Sequence, residues 1–481
     1  MKKIYYGMIA LVFIALQGCN LLDIKPVNSM LPVTVEDYES VLLGGYPTTE
    51  FFMKTELGTD NVYANLNTTY SADKTNELWF AWAPTTWLEG NSDAYWTQLY
   101  KSIFYANTVL DEFAKRTPAA EEKDLFTTVR GEAYALRAYC YFYLINYYAD
   151  IYAKENFEKP GVPMPLSAED VHKFTQNNVC VSIGKVYEQI LKDLEAATTD
   201  LTGKQPKSLY RFGYTSLQAL KSRVYLFMGR YDDAITAASS VIATKELFNM
   251  NQLQPLIDTK GETAFTYNFG FINSDYQNEV LFFVGGNGVN NMYVYPQNVF
   301  KTSEELLNLC LRHPNVKDYR QYIYASFADL SKPENIATGP TAYSMYARQE
   351  SPCYYIGFKL SECYVTRAEC YVRKGDTDKA LADLNTLLSK RMEAANFVKL
   401  KKIDFTEETL LRRVLEERRL ELAFEGGLRW LDLRRLGKPA LTHIYKSGQV
   451  FELKEGDDRY ILQIPQNEIE NSPDIELNPR N

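Results

Sequence analysis

Apolar positions recur every three to four residues along most of the chain, and this periodicity predicts helices at 35–43, 94–115, 121–148, 183–198, 216–228, 231–243, 303–309, 359–374, 377–392 and 406–424. Gly229 and Gly375 stand where one of these segments ends and the next begins, the place of a C′ glycine. The face Trp96, Tyr100, Ile103, Asn107 keeps helical spacing and points Trp96 into a core. An internal echo runs through the series. Arg137-Ala138-Tyr139-Cys140-Tyr141 returns as Lys221-Ser222-Arg223-Val224-Tyr225 and as Arg367-Ala368-Glu369-Cys370-Tyr371. In the last two copies a Gly follows the final Tyr after four residues and an Ala after five more (Ala234, Ala380). Small residues at these points let a second helix pack closely, which is the spacing of tetratricopeptide-like hairpins.

Two stretches break the helical pattern. Residues 57–91 carry Tyr63, Tyr70, Trp79, Trp82 and Trp87 among Asn, Thr, Ser and Asp. Residues 245–301 carry Phe265, Tyr267, Phe269, Phe271, Tyr276, Tyr293 and Tyr295. The predicted fold class is therefore mainly α: a frame of helical hairpins at about 36–56, 92–244, 302–330 and 353–437. It bears long irregular, loop-rich excursions with short strands, and residues 438–481 form an irregular C-terminal segment.

The N-terminus reads as an address. Lys2 and Lys3 precede an apolar run over 4–16, too short to stay across a bilayer, and Gly18-Cys19 resembles a lipoprotein processing box. The expectation is a signal peptide at 1–18, lipidation at Cys19, a tether to residue 35 and one domain over 36–481. Cleavage removes two lysines, so 52 Lys+Arg against 61 Asp+Glu becomes 50 against 61, a net charge of −11. Such an acidic chain is a poor partner for nucleic acid. Three scattered His and seven Cys without a CxxC pair give no metal-ligand spacing, so no cofactor or metal is expected and most Cys read as small buried hydrophobes.

The densest motif, 416–437, interleaves Glu and Arg around Gly426-Gly427. It is weighed between an acidic catalytic site and a buried ion-pair network pinning two helices with Trp430 in the core, and the network is the better reading. The stretch 278–284 reads as a short buried strand. The glycines after it lack the third glycine and the helix of a dinucleotide loop. GxSxG and GxxxxGK[ST] are absent from the sequence. The aromatic excursions carry the sharper chemistry, because sugar rings stack their C–H faces on Trp and Tyr while their hydroxyls bond Asn and Asp. The candidate ligand contacts are Asn61, Tyr63, Trp79, Trp82 and Trp87, with Tyr276, Tyr293 and Tyr295.

Taken in order, several short motifs resemble the SusD/RagB family of outer-membrane lipoproteins of Bacteroidetes. They are Cys19 with Leu22-Asp23-Ile24-Lys25-Pro26; Trp96, Tyr100, Ile103 and Asn107; Ala133-Tyr134-Ala135-Leu136-Arg137-Ala138 leading into Tyr147-Tyr148; and Gly161-Val162-Pro163. Further along come Asn278-Glu279-Val280, Glu369-Cys370-Tyr371, the run from Glu417 to Gly426, and Ile464-Pro465 with Asn478-Pro479. The resemblance implies helix pairs wrapped by an irregular binding region. It implies a non-catalytic, lipid-anchored protein at the cell surface that captures glycan and delivers it to a SusC-like TonB-dependent transporter. Peptide or glycoprotein cargo is the alternative, with a lipid-anchored glycoside hydrolase or a protein-binding scaffold behind it.

Overall fold

The computed structural model describes residues 31–47, 53–66, 72, 74–87, 93–172, 179–255, 258, 279–284, 299–321, 347–348, 351–352, 357–471 and 474–480. Helices dominate them. Helix α1 is Val35–Gly45, α2 is Lys74–Phe80, α3 is Ala94–Ala114 and α4 is Lys123–Tyr148. Next come α5 (Ala168–His172), α6 (Ile183–Leu201), α7 (Tyr214–Phe227), α8 (Tyr231–Ile242) and α9 (Glu304–Leu311). The C-terminal part supplies α10 (Leu360–Arg373), α11 (Thr377–Arg391), α12 (Glu407–Leu422), α13 (Leu428–Arg435) and α14 (Gln466–Asn471). Side-chain caps fix several starts. Thr34 and Asp37 form a reciprocal capping box on α1, Asp93 accepts from the Tyr95 and Trp96 amides on α3, and Asp376 accepts from Lys379 on α11.

Helix packs on helix as the echo predicts: α3 on α4, α4 on α6, α7 on α8, α8 on α10, and α10 on both α11 and α12. The second half of α4 is buried on every side, so its tyrosines 139, 141, 143, 147 and 148 lie in the core. At equivalent positions of the repeated motif, Arg137 clamps Asp193 on α6 at 2.7 Å and Arg367 clamps Asp383 on α11 at 2.6 Å. Lys221, the corresponding residue of the middle copy, bonds Thr198 on α6 instead. Gly229 and Gly375 end α7 and α10 with φ of +69° and +78°, a conformation that costs a side chain its Cβ clearance. Trp96 is fully buried, and Cys140, Cys310, Cys363 and Cys370 are buried free thiols.

Strands are short and paired in twos. Strand β1 (Val62–Ala64) pairs antiparallel with β3 (Phe300–Thr302), and β2 (Val280–Phe282) with β6 (Phe358–Lys359). Two two-residue strands, β4 (Ala347–Arg348) and β5 (Ser351–Pro352), also pair. Residues 438–481 are more ordered than expected: β7 (Leu441–Tyr445) and β8 (Gln449–Leu453) form a hairpin that sets His443 opposite Phe451. Likewise 57–91 contains α2 and β1, too short at seven and three residues for a repeating pattern to show. Among the described residues no helix is long and apolar enough to cross a membrane.

The Glu/Arg motif is a buried network, as the structural reading holds. On α12, Glu417 and Glu421 both meet Arg320, at 2.7 and 3.0 Å, and Glu421 also meets Arg391. Arg391 in turn holds Glu279 at 2.8 Å, and Lys359 holds Glu425 at 2.7 Å. Burial opposes ionisation of Glu417 and Glu421, but Arg320 with Arg312 and Arg413 around the first, and Arg391 with Arg320 around the second, keep both carboxyls at about 2. Glu279, Arg320 and Lys359 come from three separate chain segments. Glu417 and Glu421 of α12, with Arg391 of α11 and Glu425 just beyond α12, therefore tie these three segments to the frame. Trp430 lies in the core, stacked on Tyr460 at 4.8 Å.

Candidate functional site

The described parts of the aromatic excursion, 57–66 and 74–87, rest on the hairpin β7–β8 and on α12–α13. In the turn 55–61 every residue but Asp60 is buried. Glu56 accepts from the Asn61 side chain at 2.6 Å and from the Phe424 amide at 3.2 Å. Burial pushes the Glu56 carboxyl up to about 7, those two donors only partly offsetting it. Asp60 is gripped through both oxygens by Arg429, at 2.8 and 2.6 Å. Arg419 donates to the Asn61 side-chain oxygen at 2.7 Å and to the Asp60 carbonyl.

After α2 the chain reverses at Trp82, whose φ of +49° is a left-handed conformation that bulky side chains seldom adopt. Two contacts hold it there. The Trp82 indole N–H donates to the Gly58 carbonyl at 2.9 Å, and its ring stacks on His443 at 4.2 Å. The far side of the same imidazole stacks on Phe80, also at 4.2 Å. Between Trp79, Trp82, Trp430, Gln463 and Arg480 a space of about 20 Å³ remains, room for one water and not for a sugar ring.

These positions correct part of the expected site. Asn61 is 0% exposed with both ends of its amide bonded inside the protein, so it serves the frame and presents nothing to a ligand. Trp79 and Trp82, 6% and 4% exposed, turn their faces inward onto Tyr95 and His443. A polar-flanked Trp in a loop looks like a platform in sequence, yet a long excursion must bury some rings to stay ordered. Tyr63 and Trp87 are half-buried; Tyr63 points away from the core because its strand neighbours Val62 and Ala64 point into it. Tyr276, Tyr293, Tyr295 and the lipidation candidate Cys19 lie outside the described residues.

Two features escaped the sequence reading. One is His443, betrayed only by the alternation of Leu441, His443 and Tyr445 facing inward on β7. The other is a groove of about 450 Å³ between the turn at 313–316 and the loop at 396–404. Its size falls within the usual range of small-ligand sites, roughly 300–1,000 Å³. Met392, Phe397 and Leu400 give it apolar walls, and Asn315, Asn396 and Asp404 polar ones. Nothing in the periodicity of 393–404 marked it.

The described residues form a frame of helical hairpins that carries aromatic side chains on short loop-borne elements. Comparison with known families assigns this frame. Residues 20–226 match a family described as starch-binding associating with outer membrane, and residues 319–480 match the SusD family. The chain belongs to the SusD/RagB family. Among curated relatives, SusD-like protein P38 of Formosa agariphila is 27% identical over 382 residues, 71% of this chain and 72% of its own length. SusD-like protein P2 of the same organism is 24% identical and covers 91% of both chains. A SusD superfamily protein from Bacteroides thetaiotaomicron superposes with a TM-score of 0.73 at 24% identity, over 93% of this chain and 100% of that one. A protein from Bacteroides vulgatus described as a putative sugar binding protein gives 0.70 at 22% identity, over 94% and 99%.

Proposed function

We propose that this protein captures glycan at the cell surface without cleaving it and passes it to a SusC-like TonB-dependent transporter in the outer membrane. The observation that carries the reading is the pair of family matches, which span both halves of the chain and include the starch-binding description. The sugar-binding description of the Bacteroides vulgatus neighbour supports the same cargo class. Tyr63 and Trp87 keep partly exposed rings on an excursion where Trp79, Phe80 and Trp82 are buried, so they are the ligand contacts we favour. The tyrosines 276, 293 and 295 are further candidates on the second excursion. Stacking on a half-exposed ring removes little water, so affinity is modest.

Native electrophoresis through gels containing different polysaccharides tests the cargo. Retardation by one of them, relieved by its free oligosaccharide, supports glycan capture. Retardation by none, together with binding of peptides, replaces the cargo. Release of reducing ends during long incubation would make the protein a hydrolase. The anchor is tested separately: Cys19→Ser is expected to shift the protein from the membrane to the soluble fraction.

A further inference from the structure

His443 sits in an unusual seat. Its Nδ1 lies 2.8 Å from the Phe80 carbonyl oxygen and its Nε2 3.1 Å from the Thr59 carbonyl oxygen. A carbonyl only accepts. A neutral imidazole has one N–H, so one of the two contacts would set a nitrogen lone pair against an oxygen lone pair; the imidazolium donates in both. The ring is also roofed and floored by π faces: Phe80 at 4.2 Å and 18°, Trp82 at 4.2 Å and 23°. Two such faces stack on either form of the ring but attract the cation more strongly when water is excluded.

The charged surroundings do not oppose a proton. Asp60, in the turn against which Nε2 points, acts on the ring as a negative charge, itself held by Arg429 and Arg419. On α2, Glu77 is occupied by Tyr445. On β8 the residue facing His443 is Phe451, with Glu452 next to it on the outward side. The turn 81–87 carries no charged residue. Burial, set against the two carbonyls and Asp60 alone, leaves the ring below the ordinary imidazole range. The two aromatic faces add an attraction for the cation on top of these.

We propose that His443 holds both ring protons in the folded protein at neutral pH, and that this imidazolium is the positioning residue that locks Trp82 in its left-handed turn. The bond from Trp82 to Gly58 fixes one edge of the indole; the cation beneath fixes its plane. The turn that leads on to Trp87 is thereby set by a proton. The consequence for cargo rests on the glycan reading above, whereas the protonation state does not.

The test uses the full mature chain without ligand. With only three histidines, ¹⁵N-histidine labelling gives three ring patterns, assigned with His443→Gln or, should that variant not fold, by elimination with His172→Gln and His313→Gln. The expected result is a ring with both nitrogens protonated at pH 7 that loses its second proton only at higher pH. Protonated imidazole stacked on indole quenches its emission, so fluorescence should rise through that titration in the wild type and stay flat in Trp82→Phe. The proton's contribution to stability should be present below pH 6.5 and disappear as pH rises through the folded-state midpoint. A single neutral tautomer at pH 7, or a wild type that loses stability relative to His443→Gln on acidification to pH 6, overturns the proposal.

Discussion

The guanidinium of Arg419 and the side-chain amide of Asn61 stand 358 residues apart in the chain and share a hydrogen bond of 2.7 Å. Through it α12, the helix of Glu417 and Glu421, also closes the first aromatic excursion, because Asn61 passes the contact on to Glu56.

Asn61→Leu keeps the volume and removes both bonds. It should destabilise the fold by about 1–3 kcal/mol, the usual cost of leaving buried polar partners unmet. Glycan affinity should hold at temperatures where the variant is folded. Thermal melts with and without ligand check this; an unchanged melting temperature with lost binding would return Asn61 to the ligand site.

Trp82 and Trp87 are expected to separate. Trp82→Ala removes a nearly buried ring, its bond to Gly58 and its stack on His443, a loss of about 3–5 kcal/mol. Trp87→Ala removes a half-exposed ring and should leave the melting temperature within a degree or so while weakening glycan binding. Calorimetric melts of both variants distinguish a frame residue from a contact residue.

Glu56 gives the fold a neutral-pH weakness. Its pKa of about 7 lies above the ordinary 4.5, so its stabilising contribution is complete below pH 4.5 and is lost as pH rises through 7. The full loss is on the order of 3 kcal/mol. Glu56→Gln keeps a donor and acceptor without charge and should flatten stability between about pH 4.5 and 7, the window in which the wild type loses it. An equally steep decline in the variant would place the titration elsewhere.

The network on α12 acts at the other end of the scale. Glu417 and Glu421, held at about 2, contribute stability above pH 4.5 that is lost as pH falls toward 2. Removing one partner leaves buried charge behind, so Glu421→Gln should cost about 3–5 kcal/mol. Denaturant midpoints measured at pH 7 and pH 3 should differ less in this variant than in the wild type.

How much of this was legible depends on where the information lies. The ten helices predicted from periodicity were read to within a few residues because their apolar faces repeat locally, and Gly229 and Gly375 marked two ends. Trp96 was readable as core because Tyr100 and Ile103 share its face. The motif at 416–437 was readable as a network from its balanced charges, though not its partners, since Glu279, Arg320 and Lys359 arrive from distant segments. The site was less legible. Whether Trp82 faces solvent or frame depends on Gly58 and His443, residues 24 positions before it and hundreds after it, and no periodicity connects them. Helices α2, α5 and α14 and the hairpin β7–β8 were missed because short elements owe their form to what they pack against.

The most direct measurement is isothermal calorimetry of the mature chain against a broad panel of glycans, repeated for Trp87→Ala. The account expects saturable binding of at least one glycan in the micromolar-to-millimolar range, lost or much weakened in the variant while its melting temperature holds. Binding of no glycan, or binding that Trp87→Ala leaves unchanged, would contradict it.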